Sequence, residues 1–146
     1  MNVGDIIKAT KGKLLIGKLE TECENFCTDT RKIQKDDVYI GLKGEKFNGN
    51  EYYKEALENG AKVAIISGIE IPKNEIEQLK EKTIIQVEDS LEAFGDIAAY
   101  KRDLYDIPVV QITGSVGKTS TKDIVANVVS QKYNTLKTHK KNLRLT

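Results

Sequence analysis

A short glycine loop near residue 115 has the residue types and the spacing of a phosphate-binding site. Gly114 and Gly117 leave room for an anion to approach the backbone, where the N–H groups of such a loop converge on one spot. Lys118 adds a mobile positive charge suited to the β- and γ-phosphates of a nucleotide, and the Thr119 hydroxyl can coordinate Mg²⁺. The sequence therefore predicts a site for a nucleotide and Mg²⁺, with Thr119 as the metal ligand and nucleotide contacts from Thr113, Gly114, Ser115, Val116, Gly117, Lys118, Thr119 and Ser120.

The spacing of this loop differs from that of the standard nucleotide-binding loop, G-x-x-x-x-G-K-[ST], because its first glycine stands only three positions before the second. The flanking sequence supports the assignment. A β-branched run over 109–112 predicts a strand before the loop, and apolar residues at helical spacing follow it: Ile124, Val125, Val128 and Val129. The alternative is a strand-to-helix turn that carries an incidental lysine.

Strands and helices alternate along the rest of the chain. The apolar spacing predicts helices over 3–9, 51–59 and 72–82 and after Asp89, and strands over 14–16, 38–42, 63–66 and 84–87. The continuous apolar run over 63–66 is typical of a central strand that is covered on both faces. This alternation predicts the α/β fold class.

Composition limits the classes of partner. The chain has 146 residues and a net charge of +1, so no strong field favours nucleic acid or a membrane surface, and small molecules are the expected partners. No apolar stretch approaches the ~20 residues of a membrane span, and the first residues lack the pattern of a secretory signal, which predicts a cytoplasmic protein. Cys23 and Cys27, with His139 as the only histidine, cannot form an ordinary four-ligand zinc site and are expected to be reduced thiols.

Four segments, taken in order, resemble the Mur ligases, the ATP-dependent enzymes that build the peptide stem of bacterial cell-wall precursors. The first segment is Cys-Thr-Asp-Thr-Arg at 27–31, and the second runs over 37–44 and continues as Phe-Asn-Gly-Asn at 47–50. The third is Ala-Leu-Glu-Asn-Gly-Ala at 56–61, and the fourth contains the glycine loop, over 112–122. The resemblance extends over nearly the whole chain up to Thr138.

This resemblance implies a ligase of peptidoglycan synthesis. ATP would phosphorylate the terminal carboxylate of the substrate to an acyl phosphate, which the amine of the second substrate then attacks to form an amide. In this reaction Lys118 would be the catalytic residue, acting on ATP together with a Mg²⁺ ion held by Thr119. The first and fourth segments are most similar to those of the family members that add D-alanyl-D-alanine to UDP-N-acetylmuramoyl-tripeptide. The related members that add the third stem residue are the alternative within the family.

The resemblance also implies two domains. Residues 1–84 would form a small α/β domain that binds the UDP end of the precursor, and residues 85–146 would form a linker helix followed by the first strand, P-loop and helix of a truncated ATPase domain. The candidate substrate contacts carried over from the family are Thr30, Arg31, Lys43, Asn48 and Asn50. Each has a structural alternative, such as a turn at 48–49 or a solvated charge at Arg31.

After Thr138 the sequence departs from the family pattern. We therefore expect a truncated chain that is inactive alone, with poor order over the last eight residues. The apolar face of the helix after the loop is expected to pack on the N-terminal domain or on a second copy of the chain, which would cause self-association. Two other function classes stay open: a non-catalytic module that holds a UDP-sugar peptide, and an unrelated small P-loop kinase or NTPase.

Overall fold

The computed structural model describes residues 1–138, and its internal contacts divide the chain into two compact units, Met1–Asp106 and Ile107–Thr146. The first unit has the α/β architecture that the sequence predicted. Within the described residues no helix is both long enough and apolar enough to cross a membrane.

A five-stranded sheet forms the centre of the first unit. In space its strands follow the order β1-β5-β4-β3-β2, where β1 runs antiparallel to β5 and all other neighbours are parallel. The three inner strands consist almost entirely of buried residues, as expected for parallel strands covered on both faces. The strands are β1 (Lys13–Ile16), β2 (Phe26–Cys27), β3 (Val38–Ile40), β4 (Val63–Ser67) and β5 (Thr83–Val87).

Side chains that alternate along the strands separate two apolar cores. Val38, Ile40 and Ile65 belong to one core, together with residues of α1 (Val3–Thr10) and α4 (Ser90–Asp103). Tyr39, Ala64 and Ile66 point to the opposite face, where α2 (Tyr53–Glu58) packs and where the end of α3 (Lys73–Gln78) contributes Leu79. The sheet is therefore the middle of three layers.

Polar side chains fix the starts of the two helices on the first face. Asn2 accepts a hydrogen bond from the Asp5 N–H at 2.9 Å, and the Asp5 carboxylate accepts one from the Asn2 N–H at 2.9 Å, which is a complete capping box. Asp89 caps α4 by accepting from the N–H groups of Leu91 and Glu92. The Tyr100 hydroxyl of α4 donates to Asp5 at 2.9 Å, so α1 and α4 are also joined by a polar contact.

The division between the two units lies after Asp106, whereas the sequence predicted a domain boundary after residue 84. That position falls inside β5. Because β5 pairs with β1 on one edge and with β4 on the other, it belongs with the first unit. The assignment of separate functions to the two parts of the chain stays a prediction.

The described part of the second unit contains one helix, α5 (Lys118–Val129), which starts where the glycine loop ends. The strand predicted over 109–112 is not formed, and Val109 and Val110 are 64% and 68% exposed. A strand requires a paired neighbour, and residues 107–138 contain no other strand. This part of the predicted fold is corrected to an unpaired segment.

The apolar face of α5 is uncovered at two of its predicted positions. Ile124 and Val128 are 64% and 67% exposed, whereas Val125 is half-buried. The packing of this face on the N-terminal domain or on a second copy of the chain, with the self-association that it implies, stays a prediction. The expectation of poor order over the last eight residues lies outside the described residues.

Candidate functional site

A cleft of about 580 Å³ lies at the carboxyl ends of β2 and β3. Because these strands are parallel, the loops that follow them meet at the same edge of the sheet, which is where open α/β sheets bind their ligands. The cleft is lined by Thr28, Asp29, Thr30, Arg31, Tyr39, Phe47, Tyr52 and Glu55.

The loop that forms one wall of the cleft is packed directly on the backbone at the end of β3. The Gly49 N–H donates to the Leu42 carbonyl at 2.8 Å, and the buried Tyr39 hydroxyl donates to the Gly49 carbonyl at 2.7 Å. A Cβ at Gly49 would lie 2.6 Å from the Leu42 carbonyl oxygen, and one at Gly41 would lie 2.7 Å from the Cα of Asn50. Both positions therefore require glycine.

Asn50, a predicted substrate contact, is 1% exposed and makes its contacts inside the protein. Its Oδ1 accepts from the Ser67 N–H at 2.8 Å and from the Ser90 hydroxyl at 2.9 Å. Its Nδ2 donates to Asn48 Oδ1 at 2.9 Å. These contacts occupy both polar atoms of the side chain, so in this conformation Asn50 holds three segments together. A contact between Asn50 and the substrate stays a prediction.

Asn48 also has a mainly structural role. Its Oδ1 accepts from the Asn50 N–H at 3.2 Å and caps the 3₁₀ turn Gly49–Tyr52, while its Nδ2 donates to Glu51 at 3.0 Å. This turn is the structural alternative to a substrate contact that the sequence offered at residues 48–49. Lys43, opposite Asn48 in an isolated β-bridge, is exposed but is not among the residues that line the cleft.

Thr30 and Arg31, also predicted contacts, do line the cleft. Arg31 donates from Nε and Nη2 to the two carboxylate oxygens of Asp29, each at 2.8 Å, so the pair is bidentate. These hydrogen bonds stabilise the ionised carboxylate and lower the pKa of Asp29 to about 2. The Thr30 carbonyl accepts from Asn59 at 3.1 Å, which ties this turn to the end of α2.

Two aromatic side chains in the cleft were missed as functional candidates. The rings of Phe47 and Tyr52 are stacked, with centroids 4.8 Å apart and planes 27° apart, and the two residues are 54% and 39% exposed. An exposed aromatic pair beside polar and charged groups is typical of a binding site. The motif that contains Phe47 was the available signal, but the sequence alone does not show that this ring faces a cleft.

A smaller groove of about 240 Å³ lies between α2 and α3. Three of the four charged side chains that line it have partners within the protein: Lys54 pairs with Glu75 at 2.8 Å, and Lys82 donates to the carbonyls of Leu57 and Ala61. Tyr53 also donates to Glu75, at 2.8 Å. This groove is therefore a weaker candidate for a ligand site than the cleft at the sheet edge.

The glycine loop of the second unit is open. Gly117 has φ of 80° and directly precedes α5, and no atom beyond its chain neighbours comes within 4 Å of a Cβ placed there. No hydrogen bond between the described residues uses the N–H groups of residues 115–120, and Lys118 Nζ donates to the carbonyls of Gly114 and Ser115. Free amides at a helix start and a nearby ammonium group fit a phosphate.

The proposed metal contact has less support in the structure. Thr119 is exposed at the start of α5, but residues 1–138 contain no cluster of three or more His, Cys, Asp or Glu side chains that could hold a metal ion. Thr119 as a Mg²⁺ ligand, like the other predicted nucleotide contacts at 113–120, stays a prediction.

A family model described as "Mur ligase family, catalytic domain" matches residues 23–102, which include both loops of the cleft. The chain belongs to the Mur ligase family. This assignment agrees with the resemblance that the four sequence motifs indicated.

Individual relatives agree with the family assignment. The chain is 42% identical over 116 residues to a UDP-N-acetylmuramoyl-tripeptide--D-alanyl-D-alanine ligase of Synechocystis, which covers 78% of this chain and 24% of the relative. It resembles a crystal structure of MurF from Acinetobacter baumannii with a TM-score of 0.78 and 28% identity, over 96% of this chain and 29% of that one. MurF ligase from Thermotoga maritima in complex with ADP gives a TM-score of 0.62 and 30% identity, over 75% and 24%. The chain spans about a quarter of the length of these relatives.

The buried hydroxyl of Tyr39 generates a prediction for alkaline unfolding. Burial raises the pKa of Tyr39 to about 12, so the folded state retains a proton that an unfolded tyrosine loses near pH 10. The protonated Tyr39 hydroxyl therefore stabilises the folded state fully below about pH 10, and this contribution is lost as the pH rises towards 12. In urea unfolding between pH 9 and 11, Tyr39→Phe should show a shallower loss of stability than the wild type. Identical slopes would show that this hydroxyl is not linked to folding.

Proposed function

We propose that this chain takes part in the ATP-dependent addition of D-alanyl-D-alanine to UDP-N-acetylmuramoyl-tripeptide, with its first part binding the UDP end of that precursor. The observation that carries the proposal is the cleft at the ends of β2 and β3, in which an aromatic pair lies beside an arginine. The D-alanyl-D-alanine specificity is supported by the relatives of that name, which include the Synechocystis ligase.

The groups in the cleft match the parts of a uridine diphosphate. A uracil ring can stack on the exposed faces of Phe47 and Tyr52, and base stacking on aromatic side chains contributes about 1–3 kcal/mol per base. Arg31 can donate to a diphosphate in a bidentate manner, and the Thr30 hydroxyl can donate or accept at a sugar or phosphate oxygen. Lys43, which is exposed and lies opposite Asn48 in an isolated β-bridge, is proposed to add a positive charge for the diphosphate.

The second part of the chain is proposed to bind the phosphates of ATP through residues 113–120. Its free N–H groups and Lys118 would hold the triphosphate in line and offset the charge that develops on it, with Thr119 holding Mg²⁺. When bound, ATP supplies the phosphoryl group that turns the poorly electrophilic carboxylate of the precursor into an acyl phosphate. The MurF relative in complex with ADP supports a nucleotide as ligand.

A second candidate function within the family is the addition of diaminopimelate. The observation in its favour is 32% identity over 126 residues to a UDP-N-acetylmuramoyl-L-alanyl-D-glutamate--2,6-diaminopimelate ligase of Cytophaga hutchinsonii. Both candidates require a site for the UDP end of the precursor. The two candidates differ in the precursor that should bind best: one with a dipeptide for the addition of diaminopimelate, and one with a tripeptide for the addition of D-alanyl-D-alanine.

Removal of the Phe47 ring tests the site for the UDP end. Phe47→Ala should weaken UDP binding about tenfold in calorimetry, because it deletes one ring of the stacking platform. Leu91→Ala is the matched control, since Leu91 is equally exposed, at 55%, but lies on α4 outside the cleft. Equal UDP affinity in the wild type and Phe47→Ala would remove the aromatic pair from the site.

Removal of the Lys118 amine tests the glycine loop. Lys118→Ala should abolish ATP binding measured by calorimetry with Mg²⁺, because the loop loses its only mobile cation next to the phosphates. Lys132→Ala, which removes a lysine beyond the end of α5, should bind ATP like the wild type. ATP affinity that is unchanged by Lys118→Ala would exclude Lys118 from the nucleotide site.

A further inference from the structure

We propose that Asp29 is the positioning residue for Arg31, and that it turns one edge of the guanidinium group towards a diphosphate in the cleft. This inference rests on the proposed function of the cleft as the site for the UDP end of the precursor. Asp29 was not among the candidate contacts predicted from the sequence.

The division of the Arg31 donors supports the proposal. A guanidinium group has two edges that can each hold two oxygens, one formed by Nε and Nη2 and the other by Nη1 and Nη2. Asp29 occupies the first edge with two hydrogen bonds of 2.8 Å. No other side-chain hydrogen bond between described residues involves Arg31, so the second edge is left for two phosphate oxygens.

Asp29 is itself held by the local backbone. Its Oδ1 also accepts from the Arg31 N–H at 3.2 Å and thereby caps the 3₁₀ turn Thr30–Lys32, and the thiol of Cys27 donates to its carbonyl at 3.3 Å. Its side chain is 27% exposed, whereas that of Arg31 is 83% exposed. The carboxylate is therefore the fixed partner, and the long arginine side chain takes its direction from it.

Net charge alone does not make this cleft attractive to an anion. The ionisable side chains that line it at neutral pH are two carboxylates, Asp29 and Glu55, and one guanidinium group, Arg31, which together leave one net negative charge. A diphosphate would bind here because aimed N–H donors form charge-assisted hydrogen bonds with it, and the direction of the Arg31 donors is the property that Asp29 controls.

Two physical models predict opposite effects of Asp29→Ala on the affinity for UDP. If charge dominated, removal of a carboxylate would strengthen UDP binding. If Asp29 positions Arg31, the same substitution releases the guanidinium group and should weaken UDP binding about tenfold, although the cleft has become more positive. Binding of uridine, which lacks phosphates, should be unchanged.

The experiment compares UDP with uridine in NMR titrations of the 146-residue chain. All proteins carry Lys118→Ala, which removes the lysine from the other expected phosphate site. Arg31→Lys keeps the positive charge but removes the paired N–H donors of the guanidinium group, and it should show the same loss of affinity for UDP and not for uridine. Asp29→Asn retains an acceptor for the turn, which guards against misfolding, and should give an intermediate loss. Glu77→Ala removes an exposed carboxylate on α3 and should bind like the parent.

Each outcome bears on the inference. A loss confined to UDP in Asp29→Ala and Arg31→Lys supports it. Unchanged or tighter UDP binding in Asp29→Ala overturns it and leaves the proposed function intact, as does an equal loss for uridine, which indicates a general disturbance of the turn. Absence of UDP binding in the parent protein overturns the proposed function and this inference together.

Discussion

The buried amide of Asn50 is the interaction on which the arrangement of the sheet edge depends. Its Oδ1 accepts from Ser67 at the end of β4 and from Ser90 at the start of α4, while its Nδ2 donates into the loop that follows β3. Loss of this amide would leave the Ser67 N–H without its acceptor, at a cost of about 1–3 kcal/mol. One side chain thus holds together the segments that follow three parallel strands.

The cleft owes its shape to that constraint and to the close packing beneath it. Gly49 lies against the Leu42 backbone because glycine has no Cβ, and the Tyr39 hydroxyl holds the same loop by donating to the Gly49 carbonyl. The turn after β2 supplies the opposite wall. Rigid strands therefore carry two loops whose exposed groups, an aromatic pair and an oriented arginine, face a common space, as is usual at the carboxyl edge of parallel sheets.

The sequence predicted the larger elements well because their signals are local. The apolar runs of β4 and β5 and the helical spacing of α1, α2 and α4 were sufficient to place them. The two-residue strand β2 was missed, because it is a strand only through its pairing with β3. The strand predicted over 109–112 is absent for the converse reason: its residues favour a strand, but the described part of its unit contains no other strand with which it could pair.

The candidate site was predictable only in part, because residue type does not reveal orientation. Asn50 and Arg31 were both reasonable ligand contacts, since amide and guanidinium groups bind nucleotides well. In the structure Asn50 is buried in an internal network, while Arg31 is exposed beside the cleft. Phe47 and Tyr52 show the converse case: aromatic residues are usually buried in a core, and nothing in their spacing indicates an exposed stack.

The central claim, that the cleft at the ends of β2 and β3 binds the uridine diphosphate end of a precursor, is tested most directly by mapping where UDP binds. Backbone amide shifts of the isotope-labelled chain should be recorded during a UDP titration. The account predicts that the largest changes occur over residues 28–31 and 47–55. Changes confined to the glycine loop at 113–120, or to the groove between α2 and α3, would contradict it.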